Sequence, residues 1–190
     1  MKKILVAVTG ASAMLYVQSF LKMLERENNV TVHGICSEAG EKVLELEHKK
    51  DSRNLPAVTK WFDCKDFTAA PASGSADYDS MVVIPCSMGT LAAISTGITS
   101  NLIHRAADVM LKENKKLILV TRETPLNRTH LKNMLNAHDA GATICPPHPG
   151  FYLKPESLEE AAMTFSWRLG DQLGLKMKGR KRWGMMGDDD

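Results

Sequence analysis

The run Lys3-Ile-Leu-Val-Ala-Val8, followed by Thr9-Gly-Ala-Ser-Ala13 and then Met14-Leu-Tyr-Val-Gln-Ser-Phe-Leu-Lys-Met-Leu24, decides the fold. An unbroken apolar run of strand length reads as a strand buried on both faces, the mark of a parallel sheet. The small residues after it allow a tight entry into a helix, expected over Met14 to Glu27 with Leu15, Phe20, Leu21 and Leu24 turned inward. The same unit recurs along the chain. Val30 to Cys36 reads as the second strand, and Ser37 can cap a helix reaching about Lys49, with Val43, Leu44 and Leu46 as its apolar face. Met81–Cys86, Lys116–Thr121 and Ala142–Cys145 read as further strands. Asn101–Glu113, Arg128–Ala140 and Ser157–Leu173 read as helices, and another helical stretch after Ser87 breaks near Gly97. Pro56, Pro71 and Ser73-Gly74-Ser75 interrupt the pattern between Asp51 and Asp79, leaving a short strand near Trp61 and a long surface loop. This alternation predicts an α/β fold: a doubly wound, mostly parallel sheet with helices on both faces.

The 190 residues suit one domain, expected over residues 1–175, with a charged tail at 176–190. With 44% hydrophobic and 24% charged residues, the composition is globular and excludes a disordered chain. A net charge of +2 gives no global attraction for nucleic acid or an anionic membrane. The basic run Lys176 to Arg182 reads as a solvated or subunit-contacting tail. No apolar run approaches the roughly 18 residues of a membrane span, and Ile4 to Val8 is too short for a signal-peptide core. Cys36, Cys64, Cys86 and Cys145 form no C-x-x-C pair, and the six histidines show no ligand spacing, so no metal is expected and a reduced, cytoplasmic protein is.

In open parallel sheets ligands bind beyond the carboxyl ends of the strands. Those ends carry Thr9-Gly10-Ala11-Ser12, Ser37, Ser87-Met88-Gly89-Thr90 and Arg122-Glu123-Thr124-Pro125. Small residues let backbone approach a ligand, hydroxyls supply hydrogen bonds, and helix starts present N–H groups to an anion, so the four loops together read as a phosphate site. The alternative is that the serines only cap helices. Neither G-x-G-x-x-G nor G-x-x-x-x-G-K-[ST] is present, which speaks against a dinucleotide or a nucleoside triphosphate. Arg122 reads as an anion ligand, or else as the ion-pair partner of Glu123. Glu47 is a surface carboxylate unless it faces the pocket.

Pro85-Cys-Ser-Met-Gly-Thr-Leu-Ala-Ala-Ile94, Asn101-Leu-Ile-His-Arg-Ala-Ala-Asp-Val-Met-Leu-Lys-Glu113, Arg122-Glu-Thr-Pro-Leu-Asn127 and His130-Leu-Lys-Asn-Met134 closely resemble the UbiX/Pad1 family of flavin prenyltransferases. Gly10-Ala-Ser12, Ser73-Gly-Ser75, Pro149-Gly-Phe-Tyr152 and Asp171-Gln-Leu-Gly174 extend the similarity over nearly the whole chain. The resemblance implies a Rossmann-like flavoprotein that joins a dimethylallyl group from dimethylallyl phosphate to N5 and C6 of reduced FMN. Its product, prenylated FMN, would serve a UbiD-type decarboxylase. The resemblance also implies a homo-oligomer, commonly a dodecamer. Carried over by position, Gly10, Ala11, Ser12, Ser37, Ser87, Met88, Gly89, Thr90 and Arg122 would contact FMN, Tyr152 and Arg168 would hold the prenyl phosphate, and Glu47 would be the acid/base, with Ser12 a further candidate for moving the proton.

The family's first loop has glycine and alanine where this chain has Ala13 and Met14. A positive φ at Ala13 would cost roughly 1 kcal/mol, and Met14 would narrow the substrate pocket. Two alternatives share the fold: an FMN-dependent cysteine decarboxylase, which would place asparagine at the position of Gly89, and a flavin-binding protein without catalysis.

Overall fold

A computed structural model describes residues 1–177, 179–181 and 183–184. Six parallel strands form one sheet in the order β3-β2-β1-β4-β5-β6: β1 Lys2–Val8, β2 Val30–Cys36, β3 Val58–Asp63, β4 Ser80–Cys86, β5 Lys116–Thr121 and β6 Thr143–Ile144. The helices are α1 Met14–Glu25, α2 Glu38–His48, α3 Met88–Ser95, α4 Leu102–Lys112, α5 Arg128–Asp139 and α6 Leu158–Gln172. From β1 the chain steps outward through β2 to β3, then crosses back to β4 and steps the other way. The crossovers therefore diverge between β1 and β4, opening a crevice at their carboxyl ends.

Along the central strands β1, β4 and β5, alternate residues bury their side chains on the two faces of the sheet. Val6, Val8, Val82 and Val120 pack with Phe20, Leu24, Leu44 and Phe165 on one. Leu5, Ala7, Val83 and Leu119 pack with Leu91, Ile103 and Met110 on the other. Burying a large apolar side chain contributes about 1.5–3 kcal/mol, so these two layers hold the crevice rigid. Side-chain caps fix where the helices begin: Asn101 accepts from the His104 N–H at 3.0 Å and Ser157 from the Glu160 N–H at 3.1 Å.

Two apolar positions depart from expectation. Leu46 is 81% exposed, because at 100° per residue it points away from the sheet-facing Leu44. Leu15 is only half-buried, the core position at the start of α1 going to Met14, which is fully buried. Met14 thus fills the core instead of narrowing a pocket.

Candidate active site

At the crevice between β1 and β4, one hydroxyl ties the two strand ends together. Thr9 donates through Oγ1 to the Pro85 carbonyl at 2.7 Å and accepts from the Ser87 N–H at 2.9 Å, while only 2% exposed. Next along the chain, Gly10 sits so close to α2 that a Cβ there would lie 2.5 Å from the Cβ of Ala39, so the loop closes only on glycine. Ser37 and Ser87 do cap their helices, accepting from the Gly40 N–H at 3.0 Å and the Thr90 N–H at 3.3 Å. Capping by Ser87 leaves the N–H groups of Met88 and Gly89 directed out of the α3 N-terminus, where the helix dipole favours an anion. A Cβ on Gly89 would meet nothing within 4 Å, so this end of α3 borders open space.

The start of α1 is already occupied. Glu47, near the end of α2, accepts from the Met14 N–H at 2.8 Å and from the Ala13 N–H at 3.1 and 3.2 Å. Burial pushes its carboxyl up, but the Ser12 hydroxyl, the Met14 and Ala13 N–H groups and the charge of His48 outweigh that and hold it below its ordinary value. Glu47 is therefore an ionised carboxylate turned to the first loop, and the N–H groups of Ala13 and Met14, expected to be open to a phosphate, serve the protein's own anion. Ala13 takes φ 92° and ψ 41°, the positive φ weighed from sequence, and it carries the associated strain of about 1 kcal/mol.

Arg122 follows β5 directly, its N–H donating to the Cys86 carbonyl at 3.4 Å. Its guanidinium is exposed and forms no ion pair among the described residues. Glu123, the alternative partner, instead accepts from the Thr124 N–H at 3.0 Å. The charge of Arg122 reaches the Tyr16 hydroxyl, whose pKa burial raises and Arg122 lowers. Thr121 ends β5 with its hydroxyl buried and without a hydrogen-bond partner among the described residues. In the sequence Thr9 already stands in the first strand-end loop, whereas Thr121 reads only as the end of a strand. The signal for each was a hydroxyl residue closing an otherwise apolar strand.

A second group forms around α6. Tyr152 and Arg168 line one cavity of about 310 Å³ with Trp167, Arg180, Lys181 and Trp183. The loop carrying Tyr152 is tied to α6 by the Gly150 N–H donating to Thr164 Oγ1 at 2.8 Å. Tyr152 meets Trp183 edge to face, with centroids 4.9 Å apart. Arg180, expected in a solvated or subunit-contacting tail, instead has a side chain only 9% exposed and pairs with Asp171. Lys178, Arg182 and residues 185–190 of that tail lie outside the described residues.

The cavity lies toward the same carboxyl edge. The Arg168 charge reaches Cys145, just past β6, where burial raises the thiol pKa and Arg168 lowers it. Tyr16, which feels Arg122, packs edge to face on Phe165 of α6 at 5.4 Å. The structure thus gathers the candidate residues into two groups. Gly10, Ala11, Ser12, Ser37, Ser87, Met88, Gly89, Thr90 and Arg122 sit at the four strand ends, Glu47 reaches the first of them from α2, and Tyr152 and Arg168 sit in the cavity. No hydrogen bond or ion pair joins the groups among the described residues. Nor is there, among the described residues, any group of three or more potential metal ligands.

A doubly wound sheet with anion-ready loops at its switch point defines a nucleotide-binding class of α/β protein. Comparison narrows the class, because the flavoprotein family model matches residues 1–164. The mitochondrial flavin prenyltransferase PAD1 of Saccharomyces cerevisiae is 42% identical over 183 residues, 96% of this chain and 75% of that protein. The crystal structure of AnUbiX (PadA1) in complex with FMN and dimethylallyl pyrophosphate superposes with a TM-score of 0.91 at 40% identity, covering 96% of this chain and 97% of that one. A dodecameric FMN-dependent UbiX-like decarboxylase from Escherichia coli O157:H7 also gives a TM-score of 0.91, at 39% identity over 95% of this chain and 98% of that one. The chain belongs to the flavoprotein family, among its UbiX/Pad1-type flavin prenyltransferases.

Proposed function

We propose that this protein joins the dimethylallyl group of dimethylallyl phosphate to N5 and C6 of reduced FMN, producing prenylated FMN for a UbiD-type decarboxylase. The observation that carries this reading is the presence, toward one carboxyl edge of the sheet, of both an ionised Glu47 held on the first loop and a cationic cavity lined by Arg168 and Tyr152. Support also comes from the 40% identical relative that binds FMN and dimethylallyl pyrophosphate.

The residues at the crevice fit a flavin mononucleotide. The free N–H groups of Met88 and Gly89, the Ser12, Ser37, Ser87 and Thr90 side chains and the Arg122 guanidinium would hold its phosphate and polar edge, while Gly10, Ala11 and Gly89 keep the loops thin enough for close approach. Bound there, reduced FMN supplies the electron-rich nitrogen and carbon that accept the prenyl group.

Breaking an allylic C–O bond leaves its electron pair on the departing phosphate, and Arg168 and the Tyr152 hydroxyl would stabilise that anion without a metal. Closing the ring at C6 uses up the prenyl double bond, so the proton that leaves C6 is matched by one delivered to the central prenyl carbon, and a group that carries protons between them is needed. Glu47, whose carboxyl is held below its ordinary value and so stays ionised at neutral pH, would take the C6 proton, with the Ser12 hydroxyl bonded to it as a relay. Four free cysteines and the lack, among the described residues, of a helix long and apolar enough to cross a membrane are consistent with a cytoplasmic enzyme. The dodecameric relative supports a homo-oligomer in which neighbouring copies enclose the site.

Anaerobic incubation with reduced FMN and dimethylallyl phosphate, followed by mass spectrometry, is expected to show a flavin carrying one added five-carbon unit. Absence of that adduct with folded, flavin-loaded protein would overturn the reading.

A further inference from the structure

Between the crevice loops and the cavity around α6 stands one side chain that belongs to neither group. Tyr16 lies in the first turn of α1, half-buried, with its ring edge to face on Phe165 of α6 and the centroids 5.4 Å apart. Phe165 and Arg168 are i and i+3 on α6, so they share one side of that helix, and Tyr16 stands beside the turn that carries Arg168. Arg122 approaches from the sheet. Val120 is buried on the face covered by α1 and α6, and alternation along a strand sends Arg122, two residues on, out over the same face. The Arg122 N–H still donates to the Cys86 carbonyl at 3.4 Å, so the strand direction persists to that residue. Its charge reaches the Tyr16 hydroxyl.

That hydroxyl is unspent. It makes no hydrogen bond among the described residues and, unlike the Thr121 hydroxyl, is not shut away from solvent. Burial raises its pKa above an ordinary value of 10.0, so the O–H keeps its proton at neutral pH and is available to donate. Its position is fixed from two sides. Glu47 holds the start of α1 through the Met14 N–H at 2.8 Å, and Phe165 holds the ring, so little freedom is lost when an acceptor arrives. A fixed donor beside a guanidinium suits a phosphate, whose oxygens accept from several donors at once.

We infer that Tyr16 is a further binding residue of the site, its hydroxyl donating to a phosphate oxygen held jointly with Arg122. The acceptor is the phosphate of FMN or that of the prenyl donor, and the chemistry of the contact is the same for both. The inference rests on the prenyltransferase reading above and deepens it, because Tyr16 joins the two groups of that site.

Tyr16→Phe keeps the ring on Phe165 and removes only the hydroxyl. Fluorescence titration with FMN and with riboflavin, which lacks the phosphate, tests the first source. Calorimetric binding of inorganic phosphate to the FMN-loaded protein tests the second. The variant is expected to lose about tenfold in affinity for FMN or for inorganic phosphate, with riboflavin affinity unchanged. A loss for FMN assigns the contact to the flavin phosphate, and a loss for inorganic phosphate assigns it to the leaving anion. No loss for either, or an equal loss for FMN and riboflavin, overturns the role of Tyr16 while leaving the prenyl transfer standing. A phosphate-dependent loss in the variant, with no five-carbon flavin adduct from wild-type protein, instead overturns the prenyltransferase reading and keeps the Tyr16 contact.

Discussion

The side-chain oxygen of Thr9 lies 2.9 Å from the backbone nitrogen of Ser87 and 2.7 Å from the carbonyl oxygen of Pro85, so a single hydroxyl both donates and accepts across the crevice where the two halves of the sheet part. Thr9→Val keeps the shape and removes both bonds, leaving a buried donor and a buried acceptor unpaired. A loss of about 2 kcal/mol of stability is expected in urea unfolding. FMN affinity should fall with it, read by fluorescence titration, because the start of α3 is no longer held against β1.

Glu47→Gln retains the size of the side chain and loses its charge. The variant should bind FMN near wild-type affinity, form less than about a hundredth of the adduct per unit time, and lose about 1 kcal/mol of stability as the cap on α1 weakens. Unchanged turnover would remove Glu47 from proton transfer.

Acid should weaken the fold through the same group. The folded-state pKa of Glu47 lies below its ordinary value of 4.5. The unfolded chain therefore takes up its proton first as pH falls. The stabilising contribution is complete above 4.5 and is lost as pH drops through the lower folded value. Urea midpoints measured from about pH 6 to about pH 3 should show an acid slope that is shallower in Glu47→Gln than in wild type.

Ala13 sits at φ 92° with a Cβ that this region disfavours. Ala13→Gly removes roughly 1 kcal/mol of backbone strain and returns part of that as extra freedom of the unfolded chain. A net gain of about 0.5–1 kcal/mol is expected from thermal unfolding. A loss would show that the Cβ of Ala13 packs usefully against its surroundings.

Much of this architecture was legible in the chain because the informative signals are local. The apolar runs at Ile4–Val8 and Met81–Ile84 mark the central strands, and Ser37, Ser87, Asn101 and Ser157 announce the helix starts they cap. What escaped depends on distance in sequence. Nothing near Arg180 reveals that it meets Asp171 in a shared cavity, and nothing near Glu47 reveals that its carboxylate meets an N–H 33 residues earlier. Leu46 misled for a related reason. Its chemistry suits a core, but the rotation of α2 relative to Leu44 turns it outward. Ser37 and Ser87 meet the plainer of the two readings by capping their helices, and the phosphate contact belongs to the proposed function.

Glu47 fastens α1 and is the base of the proposed reaction, so in that reading folding and turnover draw on the same two oxygen atoms. A variant library sorted for solubility alone and one sorted for product alone would converge on this position for unrelated reasons. Redesigning the enzyme for another acceptor would first require a substitute anchor for the amino end of α1.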